Sequence, residues 1–219
     1  MLRTTVVIPS FNRSERLAAC IRAVRQHAVR AVDMIVVAVG RSPETAAWCV
    51  RSGIAYIALP GAIGLAEACN RGLRLAATDR IVLLAEDWIV LPGWLSAVEE
   101  ALGAGGRGGV AILPGSPEDA FNGTSALEAY NGGACLAMRR QAMEQIGLLD
   151  TRFRSGAWAF ADYALRARLN GCDPQPVSGQ IVRRSDGADH GEGDDFIGAM
   201  ALDRRAFAEK WSLDSLAKI

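Results

Sequence analysis

Short apolar runs alternate with amphipathic segments over the first hundred residues, and that rhythm leaves few folds open. Residues 5–9, 34–39, 54–59 and 81–84 are dominated by Val, Ile and Leu and are too short for helices. Between them the spacing turns helical. Leu17, Ile21 and Val24 share a face behind Ser14, which reads as an N-cap. Ser42 and Pro43 supply an N-cap and a first-turn proline for a helix reaching about Arg51, and a third helix covers 65–77. Pro92-Gly93 then turns the chain into a helix over 94–102. Strands joined through helices need right-handed crossovers, which gives a mostly parallel sheet with helices on both faces. The expectation is a three-layer α/β/α domain.

The strand at 81–84 runs into two adjacent carboxylates, Glu86 and Asp87. Open α/β sheets bind ligands at the carboxyl ends of their strands, so acids there are placed to meet a substrate or a metal. A solvated, capped turn is the plainer reading of the same pair.

The rhythm changes after Leu102. Residues 103–109 are a glycine-rich turn, 110–113 a short strand, and 114–131 a loop with a helical piece at 125–130. Residues 132–138 read as a strand, 139–146 as a short helix and 147–150 as a turn. A helix begins near Ala161-Asp162, carries Leu165 and Leu169, and stops at Asn170-Gly171. A final strand covers 176–182, an acidic, glycine-rich stretch 185–195, and a tail helix 200–210. Internal repeats and interdomain linkers are absent from the sequence, so 219 residues form one domain.

Charge and cysteine usage narrow the function. Twenty-four basic residues balance 24 acidic ones, which argues against an electrostatic nucleic-acid binder. The five cysteines have no CxxC pairing or metal-ligand spacing and read as reduced, mostly buried thiols. No apolar run nears the roughly 20 residues of a transmembrane segment, and no signal peptide precedes the first strand. The expected location is cytoplasmic. The apolar tail residues Phe207, Trp211, Leu213 and Leu216 would pack back on the domain, pair in a homodimer or touch a membrane surface.

The order of motifs resembles family 2 glycosyltransferases, the nucleotide-diphospho-sugar transferases with a GT-A fold, over nearly the whole chain. Val6-Val7-Ile8-Pro9-Ser10-Phe11-Asn12-Arg13 is similar to the family's opening strand and nucleotide-binding turn. Gly64-Leu65-Ala66-Glu67-Ala68-Cys69-Asn70-Arg71-Gly72-Leu73 is similar to its nucleotide-contacting helix, and Ala85-Glu86-Asp87 stands at the DXD position. The segment from Gly133 to Arg140, then Gly147-Leu148-Leu149-Asp150-Thr151-Arg152-Phe153, then Ala161-Asp162 at the Glu-Asp position, follow in order. Phe207, Lys210 and Trp211 resemble a tail often found there. The resemblance divides the domain into a nucleotide-binding half (1–102), an acceptor-binding half (103–199) and a tail helix (200–219).

The resemblance implies an inverting transfer of a sugar from a nucleotide-diphospho-sugar to an acceptor hydroxyl. It implies Mg²⁺ or Mn²⁺ held by Asp87, with Glu86 ligating through water or supporting it. It places Pro9, Ser10, Asn12, Arg13, Asn70 and Arg71 around the nucleotide, and Asp162 as the general base, at a helix start where an N-cap is the competing reading. Trp158 and Phe160 would lie on the acceptor side. At the position of a metal-ligating histidine, either His190 or, in another register, Arg183 or Arg184 would face the diphosphate. The acceptor is a glycan, a lipid-linked sugar, a small molecule or a peptide. Ala38, Ala85 and Ala161 stand where the family carries acids. Their loss opens a second reading, a catalytically degenerate binding or scaffold protein that serves a partner glycosyltransferase.

Overall fold

A computed structural model describes residues 2–61, 63–103, 109–114, 133–185 and 194–211. The first half builds β1 (Thr4–Ser10), α1 (Ser14–His27), β2 (Asp33–Val39), α2 (Pro43–Arg51), β3 (Ala55–Leu59), α3 (Leu65–Leu75) and β4 (Arg80–Leu84). Then come β5 (Trp88–Val90), α4 (Trp94–Gly103), β6 (Val110–Pro114), β7 (Gly133–Arg139) and α5 (Arg140–Ile146). The chain continues through α6 (Gly156–Leu169), β8 (Gln175–Pro176), β9 (Val182–Arg184) and α7 (Asp194–Lys210).

The main sheet has the order β3-β2-β1-β4-β7-β6-β8, and β5 pairs with β9 in a separate two-stranded ribbon. Every neighbouring pair in the main sheet is parallel except the two made by β7, which runs against β4 and β6. The expected mostly parallel, three-layer α/β/α sheet is therefore present.

Alternation along the central strands feeds a core on each face. Val6 and Ile8 pack with Val36, Val82 and Leu84 against Leu17, Ile21 and Val24 of α1 and Trp94 and Val98 of α4. Val7, Val37 and Leu83 face the other way, onto Leu73 of α3, Tyr163 of α6 and Phe207 of α7. Gly72 lets α3 lie directly on β1, because a Cβ there would run into the Val7 side chain. All five cysteines are buried and unpaired. Burial pushes the Cys69 thiol up to about 12, so it is a packed, unreactive group.

Several expected boundaries move. Ser42 does cap α2, accepting a hydrogen bond from the Thr45 amide at 3.3 Å. Ser14 does not cap α1: Arg13 occupies the N-cap and makes no side-chain cap bond. The expected 176–182 strand divides into β8 and β9, because its two ends join different sheets across a turn at Gly179 (φ 82°). α6 starts at Gly156 rather than near Asp162. The turn that leads into it is held by a distant element: buried Asp203 on α7 accepts the Arg154 amide (3.1 Å), the Ser155 amide (2.7 Å) and Ser155 Oγ (2.6 Å). α7 is held down further by Phe207, stacked with Trp158 and Phe153 at centroid distances of 5.0 and 6.1 Å. Phe207 and Trp211 thus pack back on the domain, whereas Leu213 and Leu216 lie outside the described residues, as does the helical piece expected at 125–130. Among the described residues no helix is long and apolar enough to cross a membrane.

Candidate active site

Register fixes the centre of the site. Val7 pairs with Leu83 across β1 and β4, so the chain three residues on emerges from the sheet as Ser10 beside Glu86. Ser10 Oγ donates to Glu86 Oε2 at 2.6 Å and the Phe11 amide donates to Oε1 at 2.8 Å. Glu86 is 4% exposed. Burial pushes its carboxyl above the ordinary range, with Asp87 adding to the rise and the two hydrogen bonds and the Arg13 charge opposing it. With both oxygens engaged, Glu86 pins the Pro9–Arg13 turn to the end of β4. In this arrangement it supports the turn.

The turn it holds is unusual at Asn12, whose φ of 64° lies in the left-handed region. The Asn12 carboxamide lies against Gly40 at the end of β2, where a Cβ would come within 2.5 Å of Asn12 Nδ2. Gly40 itself has φ 97°. Pro9 is buried in β1, whereas Phe11, Asn12 and Arg13 are exposed at the strand ends. The carboxylate absent at Ala38 leaves this side of the turn lined by a buried alanine and Val39.

Asp87 follows directly, and the β5–β9 ribbon presents a cation to it. Trp88 pairs with Arg184, the Ser185 amide donates to the Asp87 carbonyl at 2.8 Å, and Arg184 Nη2 lies 3.5 Å from Asp87 Oδ2. The Arg184 guanidinium also stacks over the Trp88 ring, 5.2 Å from its centroid. Arg183 sits one position back, opposite Ile89, and donates to the Arg184 carbonyl at 3.0 Å. Of the two arginines, Arg184 is the one beside Asp87. His190 lies outside the described residues. Among the described residues no group of three or more potential ligands could cage a metal alone. Mg²⁺ and Mn²⁺ at phosphate sites commonly use one or two carboxylates and complete their shell with substrate oxygens and water. Asp87, with its side chain 17% exposed, fits that kind of shared site.

The other residues expected around the nucleotide have structural partners. Asn70 is buried and clasps the backbone of Leu149, donating from Nδ2 to its carbonyl (2.8 Å) and accepting its amide at Oδ1 (2.9 Å). Arg71 pairs with Glu67 one turn back on α3 at 2.8 Å.

Asp162 is fully buried in the interior of α6, so the helix-start geometry expected for it does not hold. Arg166 Nε donates to Oδ2 at 2.9 Å, while Trp211 Nε1 (3.0 Å) and Lys210 Nζ (2.6 Å) share Oδ1. Lys210 also reaches Asp150 Oδ2 at 2.7 Å. The cluster ties α6, the 147–153 turn and the end of α7 together. A general base needs an open side toward its proton donor, and both oxygens of Asp162 already have partners. Trp158 and Phe160 likewise belong to the packed core or its margin rather than to an open platform.

A cleft of about 630 Å³ lies at the other end of the sheet, lined by Arg25, Arg30, Met34, Gly53 and Leu75 among others. It is at the amino ends of the strands, away from the acids and the turn, and parallel sheets carry their chemistry at the carboxyl ends.

Comparison with known proteins identifies the family and the fold. The family model for glycosyl transferase family 2 matches residues 5–158. No curated protein matches the chain. Among solved structures, the mannosyltransferase PcManGT from Pyrobaculum calidifontis, in complex with GDP-Man and Mn²⁺, is similar with a TM-score of 0.74 at 18% identity. The match covers 95% of this chain and 64% of that one. Glucosyl-3-phosphoglycerate synthase from Mycobacterium tuberculosis, with Mn²⁺, UDP and glucosyl-3-phosphoglycerate, has a TM-score of 0.66 at 17% identity, covering 96% and 79%. S. aureus TarS has a TM-score of 0.70 at 12% identity, covering 94% of this chain and 40% of its own. The chain therefore spans under two thirds of the mannosyltransferase and of TarS. The fold is that of the GT-A glycosyltransferases, and the chain belongs to glycosyl transferase family 2.

Proposed function

We propose that this protein binds a nucleotide-diphospho-sugar at the carboxyl ends of β1 and β4 and transfers its sugar, with inversion, to an acceptor hydroxyl. The observation that carries the reading is the Ser10–Arg13 turn, held by Glu86 and adjoining Asp87 at the strand ends. Pro9, Ser10, Asn12 and Arg13 bind the nucleotide in this reading, and their fixed backbone limits the entropy lost on binding. Mg²⁺ or Mn²⁺, when bound, neutralises charge on the departing diphosphate, and Asp87 is the residue that would hold it. The similar structures carry GDP-Man or UDP with Mn²⁺, which makes guanosine and uridine donors the first to try. A glycan, lipid-linked, small-molecule or peptide acceptor remains part of the proposal, as does a cytoplasmic setting.

The base is the weak point of this scheme. Asp162 is fully buried, so it can take a proton from an acceptor only in a form in which the chain opens a path to it. Its engagement favours a second reading, in which the chain binds the nucleotide-sugar without transferring it and supports a partner glycosyltransferase.

The test has two readouts: titration calorimetry with UDP, GDP and dTDP in Mn²⁺, and release of nucleoside diphosphate from the matching sugar donors. The transfer reading expects one nucleotide to bind, Asp87→Ala to lose that binding, and Asp162→Asn to bind but not turn over. Tight binding without turnover of any donor, acceptors included, establishes the second reading. No nucleotide binding overturns both.

A further inference from the structure

The main sheet ends on two unlike edges. At one end β8 is two residues long and includes Pro176, and shortness and a missing donor both keep an edge from recruiting another strand. At the other end β3 runs for five residues, and the stretch from Gly53 to Leu59 carries neither a charge nor a proline. Parallel pairing with β2 decides which of its backbone groups are used. Leu59 is in register with Val39, and the Gly40 amide donates to the Leu59 carbonyl at 2.9 Å. In a parallel ladder a residue bonded in this way turns both its N–H and its C=O toward the neighbouring strand, and the next residue turns both away. Leu59, Ile57 and Ala55 therefore direct their backbone groups at β2, whereas Tyr56 and Ala58 direct theirs outward. Among the described residues no strand pairs with that outer side. Ala55 and Ala58 are exposed, and Tyr56, Ile57 and Leu59 are half-buried. α2, which packs on β3, continues the uncharged surface: Pro43, Ala47 and Val50 fall at i, i+4 and i+7, all three are exposed, and Val50 is 72% exposed.

Unpaired donors and acceptors on an uncharged, half-apolar strand are a template for one more strand. We infer that β3 pairs antiparallel with the β3 of a second copy of this chain, about a two-fold axis at Ile57, so that two sheets join into one. A two-fold axis brings each residue near its own kind, so it needs a centre without charge, and residues 53–61 are uncharged. With the axis at Ile57, both outward residues find partners: Tyr56 meets the second copy's Ala58 and Ala58 meets the second copy's Tyr56, each pair exchanging both backbone bonds. An axis one residue earlier would set Ala58 against Ile54, whose amide already donates to the Cys49 carbonyl at 2.9 Å. An axis one residue later would set Tyr56 against Pro60, which has no amide hydrogen. Ile57 then faces its own copy as a non-hydrogen-bonded pair, with Cα atoms about 4.5 Å apart. The inference is independent of the nucleotide site, because β1 lies two strands in from β3. Antiparallel pairing directs the two copies' Ser10–Arg13 turns to opposite ends of the joined sheet.

The experiment is sedimentation equilibrium over a wide range of protein concentration, for wild type and Ala58→Pro, joined to disulfide trapping of Ile57→Cys and Ala58→Cys. Circular dichroism and thermal melting of each variant check that the fold is kept. Ala58→Pro removes an N–H that the sheet does not use, and proline is tolerated on an edge strand whose N–H faces outward. Wild type is expected to show a reversible monomer–dimer equilibrium. Ala58→Pro should weaken the dimer by about tenfold to a hundredfold, since the axis removes one hydrogen bond from each copy. The five native cysteines are buried, so an introduced thiol is the one that reacts. Under mild oxidation Ile57→Cys should give a covalent dimer on a non-reducing gel, because a Cα separation of about 4.5 Å suits a disulfide. Ala58→Cys should give little, because the axis places Ala58 opposite Tyr56 rather than opposite itself. A dimer that Ala58→Pro leaves unchanged uses another surface and overturns the inference. Trapping at residue 58 as efficient as at residue 57 overturns it too, because the strands would not be held in this register. A protein that stays monomeric at every concentration also overturns it, and leaves the β3 edge to a strand of a different protein.

Discussion

Replacing Lys210 by Met tests the ion cluster that closes over Asp162. Met keeps an apolar side chain of similar length and removes the ammonium, which bridges Asp162 (2.6 Å) and Asp150 (2.7 Å) and lies over the Phe153 and Trp211 rings. Removing one partner of a buried ion pair costs about 3–5 kcal/mol. Asp162 keeps Arg166 and Trp211, and Asp150 keeps Arg152 and some solvent, so the loss falls at or below the lower end of that range, about 2–3 kcal/mol. For a domain of this size that lowers the melting temperature by roughly 4–12 °C. Urea unfolding followed by tryptophan fluorescence measures it, with an unchanged slope showing that the compactness of the end states is the same. Combined with Asp162→Asn in a double-mutant cycle, the coupling should be about 1–3 kcal/mol. Acid adds a signature. Burial pushes the Asp150 carboxyl up, but the Lys210 and Arg152 charges and the Arg152 amide outweigh it and hold it below its ordinary value of 3.8. A depressed carboxyl contributes stability above its unfolded pKa and loses it as pH falls through the folded one. The gap between wild type and Lys210→Met should therefore narrow below about pH 4. A loss below about 0.5 kcal/mol with no coupling refutes the reasoning, because such values belong to exposed ion pairs.

Two further substitutions probe the support beneath the site. Burial raises the Glu86 carboxyl, so the native state holds its proton to higher pH than the unfolded chain; stability is full below the unfolded pKa near 4.5 and declines as pH rises through the raised folded value. Glu86→Gln should flatten that decline in denaturation curves taken between pH 4 and 7, and an unchanged slope would show that Glu86 is solvated. Gly72→Ala gains about 1 kcal/mol of helix propensity but drives a methyl into Val7 at a cost of about 1–3 kcal/mol, so a net loss of up to about 2 kcal/mol is expected by thermal unfolding. A stabilised variant would mean that α3 stands further from β1.

The parallel half of the fold was legible because each strand there is a continuous apolar run and each helix carries its own stop or start signal, as Ser42 does for α2. Apart from the Ser14 cap, the failures involve elements whose determinants are distant in sequence. The turn before α6 is held by Asp203, on the last helix, which accepts the Arg154 and Ser155 amides; no local residue announces that. β5 is three residues long and exists because β9 pairs with it, so neither strand has a signature of its own. The same limit applies to the site. Asp87 stands at a strand end, where topology alone suggested it, whereas the Pro9–Arg13 turn was placed by the resemblance. Asn70 and Asp162 were placed by the resemblance, and their buried partners, the Leu149 backbone and the Lys210–Trp211 pair, could be read only from tertiary structure. The Lys210 and Trp211 tail was visible as a motif, but its contact with Asp162 was not.

The claim on which the rest depends is that nucleotide binds at the carboxyl ends of β1 and β4. Amide hydrogen exchange with and without saturating nucleoside diphosphate and Mn²⁺ tests it most directly, since bound backbone donors gain protection. The account predicts slowed exchange at residues 10–13, 85–88 and 184–185, with no change around the cleft lined by Arg25, Met34, Gly53 and Leu75. Protection confined to that opposite cleft, in a protein shown to bind the nucleotide, would contradict it.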